Sequence, residues 1–495
     1  MFRLARWRNK FTSLLFTLAP LHSRNTIPST DAFLISTQRS HRHLATLGSD
    51  ARFRYNSCRY RTIKRQLTGL LATDTDLNTE LAKNIRETYD EKETDGILEL
   101  AVSSSMMLDS TLDIEDTLVP AILDASRGTK GVAASIMNAL VGSTCVSTSS
   151  GEAKQNLSLL SSRILALMEA LEETGDVVPD IVTYSLAYRA LSSHPDWQNL
   201  ADNFLEEAER QSKKIAGGKR RKLLASAKRQ KISTFVEAEE KLKGLLGDDF
   251  RVLMETDEFA VVNKPSGVPC FHKKKTTAGK IKKGKGKKKK TSNKAGSSQD
   301  SSDFSLEDAL TSCNVNLSTL NPDALGLVHR LDRGSSGCIV LAKTNEMHAT
   351  LIAEFFLRRT TKKYVALLRE SSTSSITKEE SAFIDNPVKG RPARSQYKLL
   401  KRYESSSDDD SGDNALLAEF EIFTGRKHQI RVHASEVLGS PVWGDPLYGE
   451  LEKTDSDDSN RIFLHACHLT IPHIGIDVKS PHPDWWQSQL STLKN

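Results

Sequence analysis

The chain has 495 residues, which is enough for two or three domains, and its composition is 38% hydrophobic and 27% charged. Such a balance suits a soluble protein that also contains disordered segments. Its six cysteines are scattered, without a Cys-x-x-Cys pair. This spacing argues against a disulfide framework and a zinc ribbon, and it favours a reducing compartment.

The net charge of +6 is distributed unevenly along the chain. Residues 1–65 contain 13 Lys and Arg against two Asp, and residues 273–294 contain 12 Lys and no acidic residue. Without these two segments, which carry +11 and +12, the rest of the chain has a charge of about −17. The folded parts are therefore predicted to be acidic on balance, so any basic track for RNA on them is local.

The N-terminal segment is typical of a targeting sequence. Residues 1–30 contain five basic residues among Ser and Thr, and no Asp or Glu. The apolar stretch 11–21 is too short to span a membrane, although it leaves a secretory or bipartite plastid signal open. We predict that residues 1–65 are a basic transit peptide or disordered tail, addressed to a mitochondrion or alternatively to a plastid. No other segment is long and apolar enough to span a membrane, so a membrane partner is not expected.

Residues 66–246 show helical periodicity and predict an all-α, repeat-like region. Asp180 is a good N-cap for one helix, and 200–212 is amphipathic. The string PDIVTYSLAYRAL and the 35-residue length of 180–214 resemble one pentatricopeptide repeat. Such repeats stack into solenoids, and some members bind RNA. An ordinary helical bundle is the alternative, and RNA binding by this region stays open.

The region 250–487 alternates predicted strands with loops and helices. Two strands within 250–262 lead to Asn-Lys-Pro-Ser-Gly at 263–267, where Pro and Gly predict a turn. A tract rich in Lys, Gly, Ser and Thr follows at 272–303. It cannot bury a core, so we predict a disordered insertion whose role stays open.

The most informative stretch is 326–344, where the apolar runs 327–328 and 338–341 flank a polar loop. This pattern predicts a strand, a tight loop and a second strand. Asp332 has an arginine on either side within two residues, and neighbouring cations favour an ionised carboxylate. Loops held by rigid strands are common places for catalytic groups.

Further motifs follow in order. Lys-x-Tyr-x-Ala surrounds Tyr364 on a predicted strand, and Gly-Arg-Lys-His-Gln-Ile-Arg-Val-His occupies 425–433. The glycine of this second motif is predicted to begin a helix, whose N–H groups and dipole favour phosphate. Pro-Val-Trp-Gly-Asp-Pro-Leu-Tyr-Gly stands at 441–449, and the last strand and tail contain Leu-His-Ala at 464–466 and Pro-His-Pro-Asp at 481–484.

These motifs, in this order, resemble those of the RluA-type pseudouridine synthases. His-Arg-Leu-Asp is followed, after two residues, by Ser-Ser-Gly where the family usually has Thr-Ser-Gly, and Lys427 stands where the family commonly has Thr. Six matches cover 250–487, about half the chain. The resemblance implies an α+β fold, with a mixed, mostly antiparallel sheet flanked by helices as the catalytic domain.

The resemblance also implies roles for individual residues. Asp332 would be the catalytic carboxylate, Tyr364 the ring that stacks on the target base, and Arg431 the partner of the carboxylate. Contacts with the RNA substrate are expected from six further residues: Arg330, His329, Lys264, Arg426, Gln429 and His433. The pair His465 and His468 is not expected to bind a metal, because residues three apart on a strand point to opposite faces.

The implied reaction converts uridine in rRNA, tRNA or mRNA to pseudouridine, by breaking N1–C1′ and joining C5 to C1′. It needs no redox step, phosphate donor or metal, and because the sequence has no dinucleotide loop or P-loop, no cofactor is expected. The target base has to leave the helical stack. The RNA, the oligomeric state, and whether Asp332 attacks C1′ or removes a 2′ proton stay open. A catalytically inactive RNA-binding or organellar ribosome-associated protein on the same scaffold is the alternative.

Overall fold

The computed structural model describes residues 74–103, 105–109, 111–147, 153–175, 177–215, 233–272, 304–371, 374–376, 381–405, 414–449, 461–491 and 493–494. These residues divide into two compact units, one up to Pro179 and one from Asp180. The predicted transit peptide and nearly all of the predicted Lys-rich insertion lie outside the described residues. The predicted domain boundaries, 66–246 and 250–487, stay predictions.

The secondary structure elements that the structure describes in the first unit are all helical. Its helices are α1 (Asp74–Ser103), α2 (Val119–Ser126), α3 (Lys130–Ser147) and α4 (Ala153–Glu173), with a π-helical turn at Ile114–Leu118. Buried Arg163 of α4 donates hydrogen bonds to the carbonyl oxygens of Met106 (3.2 Å) and Leu112 (2.8 Å). A buried guanidinium needs such acceptors, and these bonds join α4 to the segment before α2.

The second unit begins with a helix pair, α5 (Ile181–Ser192) and α6 (Gln198–Ile215). Asp180 is the N-cap of α5, as its position in the sequence predicts, and its carboxylate accepts the N–H of Thr183 at 3.0 Å. The two helices pack through Tyr184 and Phe204, whose rings lie 6.5 Å apart. They occupy the positions of the two helices in the predicted repeat, and the assignment to the pentatricopeptide repeats stays a prediction.

The remaining helices and strands of this unit follow along the chain. The helices are α7 (Phe235–Leu246), α8 (Leu306–Ser312), α9 (Asn345–Phe356), α10 (Gln429–Val432) and α11 (Asp484–Ser491). The strands are β1 (Arg251–Glu255), β2 (Phe259–Lys264), β3 (Ser336–Ala342), β4 (Thr361–Arg369), β5 (Ala382–Ile384), β6 (Ser395–Ser405), β7 (Ala415–Ile422), β8 (Leu464–Ile471), β9 (Ile476–Lys479) and β10 (Leu493–Lys494). None of the helices described is both long and apolar enough to cross a membrane.

These strands form one mixed, mostly antiparallel sheet, which confirms the predicted fold class. The order is β1-β2-β3-β8-β4-β7-β6-β10, with β5 beside β6 and β9 beside β8. β3 and β8 run parallel at the centre, whereas the other described pairs are antiparallel. The late strand β8 therefore separates β3 from β4, although these two are neighbours in the sequence.

Both faces of the central sheet are covered. Alternate residues of a strand point to opposite faces, so Ile339 of β3 joins one apolar cluster and Val340 joins another. The first cluster also contains Phe235 of α7 and Leu306 of α8, and the second contains Leu351 of α9. Strands buried on both faces explain the unbroken apolar runs in the sequence.

The predicted strand at 327–328 is not formed. Leu327 makes one isolated bridge to Leu341, and regular pairing begins only at Ser336. The chain turns at Gly326, whose φ of +68° takes the backbone out of the extended conformation directly before Leu327. Asp332 is therefore carried by a long loop before β3 rather than by a hairpin.

A fully buried carboxylate joins the helix pair to the helix that covers the sheet. Glu354 of α9 lies 3.2 Å from Nε of Arg189 on α5, 3.2 Å from Nδ1 of His473 and 3.8 Å from Nη1 of Arg359. A buried charge is tolerated only with such partners. This cluster therefore links α5 to α9.

Gly337 allows the close approach of β3 and β8. Its φ is +116°, and a Cβ atom at this position would overlap the backbone of Ala466. We expect Gly337→Ala to lower the free energy of unfolding by more than the roughly 1–2 kcal/mol that a left-handed backbone costs by itself. Gly390→Ala is the matched control, because Gly390 also has a positive φ (+74°) but no atom lies within 4 Å of the place that a Cβ would occupy. Urea unfolding measures both, and equal losses would contradict the packing argument.

Candidate active site

Three loops of the second unit enclose a cavity of about 300 Å³, which is at the small end of ligand pockets. They are the loop 326–335 before β3, the segment 423–428 before α10, and the loop 443–449 before β8. The charged lining consists of one carboxylate and four cations: Asp332, Arg330, Arg333, Lys427 and Arg431. An excess of cations around one carboxylate suits a substrate that carries phosphate groups.

Asp332 is held between a guanidinium and an imidazole. Its Oδ2 lies 3.3 Å from Nη1 of Arg431, and its Oδ1 lies 3.8 Å from Nε2 of His428. The side chain keeps 17% of its surface exposed, and it lines the cavity. The structure thus brings together Asp332 and Arg431, the two residues expected to form the catalytic pair.

Arg431 is itself fixed by a second carboxylate. Its Nε and Nη2 each donate a 2.7 Å hydrogen bond to Asp445, which is fully buried. Oδ1 of Asp445 also accepts the backbone N–H groups of Leu447 and Tyr448 at 2.9 and 3.2 Å. Burial alone would lower the pKa of Arg431, but the ion pairs with Asp445 and Asp332 outweigh it and raise the pKa. Arg431 is therefore a permanent cation with a fixed direction.

Lys264 supports the loop of Asp332 from the protein interior. It is fully buried, and its ammonium group donates to the carbonyl oxygens of Pro265 and Val268 at 2.7 Å and of Arg333 at 3.3 Å. Burial lowers its pKa to about 8. The ammonium group has three donors, and all are used by backbone oxygens. Lys264, which we expected to contact RNA, is thus a positioning residue in this structure.

His329 also has partners within the protein. Its Nε2 accepts the N–H of Val340 at 3.0 Å, and its ring stacks on Phe355 with 4.7 Å between centroids. Burial lowers its pKa to about 3, so the ring is neutral, as an acceptor nitrogen requires. The ring fastens the Asp332 loop to β3 and α9 instead of facing the cavity.

Gln429 and His433 are directed to β6 rather than to the cavity. Gln429 donates to Oγ of Ser395 at 2.9 Å and accepts from the hydroxyl of Thr424 at 2.6 Å. His433 lies 3.0 Å from the same Ser395 hydroxyl and 2.9 Å from the carbonyl oxygen of Asn386. Both side chains are buried, and their contacts hold the segment 423–428 in place; contacts of these two residues with RNA stay predictions.

The other expected residues divide between the surface and the core. Arg330 is exposed at the cavity, and its guanidinium lies 5.6 Å from the centre of the Phe271 ring. Arg426 is partly buried and donates to the carbonyl oxygen of Pro392 at 2.8 Å.

Tyr364 is only 8% exposed and belongs to the apolar core. Burial, and next the charge of Asp332, raise its pKa, and stacking on a base stays a prediction.

A phosphate-binding helix start at Gly425 is not formed. The helix α10 begins at Gln429, after His428 with φ of +62°, and has four residues. The backbone N–H of Arg426, which was expected to face a phosphate, donates instead to Oε1 of Gln429 at 3.0 Å. The side chain of Gln429 accepts this N–H because the chain is not yet helical at Arg426.

The sequence did not identify four residues that complete the site: Asp445, His428, Tyr448 and Cys270. Nδ1 of His428 lies 3.1 Å from the hydroxyl of Tyr448, whose ring centre lies 5.2 Å from the guanidinium of Arg431. Sγ of Cys270 accepts the N–H of the residue before Asp332 at 3.3 Å. Three of these residues stand inside quoted motifs, so the motifs indicated the loops but not the contacts.

Within the part of the chain that the structure describes, no group of three or more His, Cys, Asp or Glu side chains is arranged to hold a metal ion. The histidines of the His-x-x-His pair have separate partners. Nδ1 of His465 lies 2.9 Å from Oγ of Ser336, whereas Nε2 of His468 lies 2.5 Å from the carboxylate of Asp477.

Comparison with known proteins shows which proteins the region around this cavity resembles. Residues 258–436 match the family model described as RNA pseudouridylate synthase. Ribosomal large subunit pseudouridine synthase C of Escherichia coli O157:H7 is 30% identical over 201 residues, which are 36% of this chain and 60% of that protein. An uncharacterized RNA pseudouridine synthase of Chloroflexus aurantiacus is 34% identical over 182 residues, 34% of this chain and 50% of that protein. The chain thus spans only 50–60% of the length of these relatives.

Two solved structures overlap with the chain more loosely. Human RNA Pseudouridylate Synthase Domain Containing 4 is 19% identical, with a TM-score of 0.36 over 53% of this chain and 99% of its own. Human RNA Pseudouridylate Synthase Domain Containing 1 is 23% identical, with a TM-score of 0.34 over 50% of this chain and 88% of its own. At these TM-scores the overlap adds no argument about the fold.

The buried ion pair between Arg431 and Asp445 is expected to stabilise the fold. Asp445→Asn keeps the size of the side chain but leaves Arg431 without its main counter-charge, so we expect a loss of about 3–5 kcal/mol. Asp477→Asn is the control, because Asp477 is 72% exposed and its pair with His468 is worth about 0–1 kcal/mol. Thermal unfolding of both variants measures the difference. Similar losses at the two positions would show that Asp445 does not stabilise a buried charge.

The pKa of His428 should report the charge of Asp332. Burial lowers this pKa from its ordinary value, the Asp332 carboxylate opposes the shift, and Arg431 and Lys427 add to it. Asp332→Asn removes the anion that favours the imidazolium, so the pKa should fall further, whereas Lys427→Gln should raise it. Nuclear magnetic resonance titration of labelled histidine rings measures the pKa.

His348 is the internal control for this titration. Burial alone lowers its pKa, to about 4, so neither substitution should move it. A pKa of His428 that rises in the Asp332→Asn protein would contradict the proximity of the two groups.

Proposed function

We propose that the chain is an RNA pseudouridine synthase that isomerises specific uridines, on the premise that residues 258–436 match the family model described as RNA pseudouridylate synthase. One observation carries the proposal. Asp332 lies in a cation-lined cavity and is oriented by Arg431, whose other two donors are fixed by the buried Asp445. A carboxylate held in this way by a permanent cation suits nucleophilic or acid–base chemistry on a sugar.

The reaction keeps every atom of the uridine. The N1–C1′ bond breaks, the uracil turns, C5 bonds to C1′, the C5 proton leaves, and N1 gains a proton. Asp332 either bonds to C1′ as the uracil departs or removes the C2′ proton, and both routes begin from the carboxylate. Arg431, with Nη1 at 3.3 Å, stabilises that carboxylate and keeps its oxygen atoms in place. No cofactor and no metal take part in the proposed reaction.

The rim of the cavity suits an RNA chain with one base turned out of its stack. Arg330, Arg333 and Lys427 are exposed there and provide positive charge for the phosphates on either side of the target. Leu447 is 65% exposed at the same rim and offers an apolar surface to the extruded base. Turning out the base costs a few kcal/mol, and contacts of this kind offset that cost.

We further propose import into an organelle and a role for the helix pair in RNA docking. The composition of residues 1–65 supports a mitochondrial address, with a plastid as the alternative. The 35-residue length and the cap at Asp180 support a pentatricopeptide-like repeat formed by α5 and α6. Because a relative is named a ribosomal large subunit pseudouridine synthase, organellar rRNA is the first substrate to examine.

Asp332→Asn is expected to abolish pseudouridine formation without unfolding the protein. Site-resolved mapping of pseudouridine in organellar and cytosolic RNA, in cells with the wild-type or the Asp332→Asn chain, measures the effect. Discrete sites should disappear, which corresponds to a loss of at least about 100-fold in rate, as for removal of a catalytic acid or base. The RNA pool that changes reports both the substrate and the compartment.

Asp477→Asn is the matched control, because it removes an exposed carboxylate on β9 and should leave every site modified. An unchanged pseudouridine pattern in all RNA pools of the Asp332→Asn cells would exclude the proposed activity. It would favour the inactive RNA-binding protein instead.

A further inference from the structure

Two aromatic rings and a guanidinium form a second surface feature near the cavity. Phe383 of β5 is 42% exposed, and its ring centre lies 6.0 Å from that of Phe423, which follows β7. The guanidinium of Arg394 lies 4.5 Å from the centre of the Phe383 ring and 6.0 Å from the centre of the Phe423 ring. We call Phe383, Arg394 and Phe423 the aromatic platform.

The aromatic platform is fastened to a loop that lines the cavity. The N–H of Phe423 donates to the carbonyl oxygen of Arg394 at 3.1 Å, and the side chain of Gln429 donates to the same oxygen at 2.9 Å. The N–H of Arg394 donates to Oγ1 of Thr424 at 3.0 Å. The platform is therefore fixed relative to the segment 424–428, which ends at the cavity.

Exposed cations connect the aromatic platform with the cavity. Lys389 and Arg391 lie on the turn before β6, and Lys427 lines the cavity; all three are exposed. Val388, the neighbour of Lys389, packs with Val432 of α10 and Tyr448 in one apolar cluster, which places this turn beside the helix and the loop that adjoin the cavity. A line of positive charge between an aromatic surface and a carboxylate site matches a chain of phosphates that carries a base at each step.

One acidic residue belongs to the same surface. Asp385, which is 63% exposed, lies 3.3 Å from Nε of Arg394, itself 43% exposed. Such an exposed ion pair is weak, so the guanidinium is available to a stacked base without a large cost. Apolar rings at this exposure would also suit a protein partner, but a protein partner would not require the neighbouring lysines.

We propose that the aromatic platform binds a base of single-stranded RNA close to the target uridine, while Lys389 and Lys427 contact the phosphates that lie between this base and the target uridine. Aromatic rings and guanidinium groups stack on any base, so this contact gives affinity without reading sequence. The inference rests on the proposed pseudouridine synthase function and adds to it the path of the RNA strand outside the cavity.

Binding of fluorescein-labelled oligouridylate to the full chain, followed by fluorescence anisotropy at one fixed salt concentration, tests the platform. Phe383→Leu keeps an apolar side chain but removes the ring, and it should weaken binding by about 5- to 150-fold, the range for one stacked base. Phe383→Trp keeps a ring and should bind as the wild type does. Phe304→Leu is the matched control, because Phe304 is 46% exposed before α8, and its affinity should not change.

The dependence on salt separates the platform from the lysines. Lys389→Gln should reduce the slope of log K against log salt by about 0.7, the value for one phosphate of a single strand, while Phe383→Leu leaves the slope unchanged. Oligouridylate affinity of the Phe383→Leu protein equal to that of the wild type overturns the proposal, as does absence of binding by the wild type.

Because binding is measured without turnover, the two proposals can fail separately. If Phe383→Leu weakens binding of oligouridylate but the wild-type chain forms no pseudouridine in cells, the platform is supported and the enzymatic activity is refuted. A chain that forms pseudouridine equally well with Phe383→Leu, at equal affinity, supports the enzyme and refutes the platform.

Discussion

The bidentate ion pair between Arg431 and Asp445 is the contact on which the candidate site depends. It joins α10 to the loop before β8, and the third nitrogen of the guanidinium reaches Asp332 on the loop before β3. Three segments that are distant in the sequence therefore share one buried cation. Since a buried guanidinium is costly without its counter-charges, the fold and the orientation of Asp332 are stabilised together. The ion pair that positions the Asp332 carboxylate thus also stabilises the fold.

The motifs of this chain mark loops more reliably than they mark the direction of side chains. Asp332, Arg330 and Arg431 line the cavity, whereas Lys264 and Gln429 use their hydrogen-bonding groups on backbone and side-chain atoms of the protein. Both kinds of residue serve one purpose, because a catalytic group is effective only when its loop is held in position. Polar residues in a motif can therefore hold a loop in place as well as face the substrate site.

The distribution of charge explains how an acidic body can present a local cationic surface. The folded parts are acidic as a whole, yet Arg330, Arg333 and Lys427 meet around one carboxylate, and exposed Lys389 lies on the turn between β5, which carries Phe383, and β6. At physiological salt, charges act over about 8 Å, so the local cluster decides what binds and the distant acids contribute little. The proposed stacking of a base on the aromatic platform would add a contribution that salt does not screen.

The sequence by itself determined the resemblance of the C-terminal region to the pseudouridine synthases, its α+β class, the loop that carries Asp332, and the cap at Asp180, because turns, caps and motifs depend on neighbouring residues. Only the tertiary structure decided that β8 lies between β3 and β4, that 327–328 is not a strand, that Lys264 is buried, and that Asp445 holds Arg431. These facts depend on which distant segments meet; Arg431 and Asp332 are 99 positions apart. Hydrogen-bond partners, and the burial of a polar side chain such as Lys264, are properties of the packed chain that local periodicity does not specify.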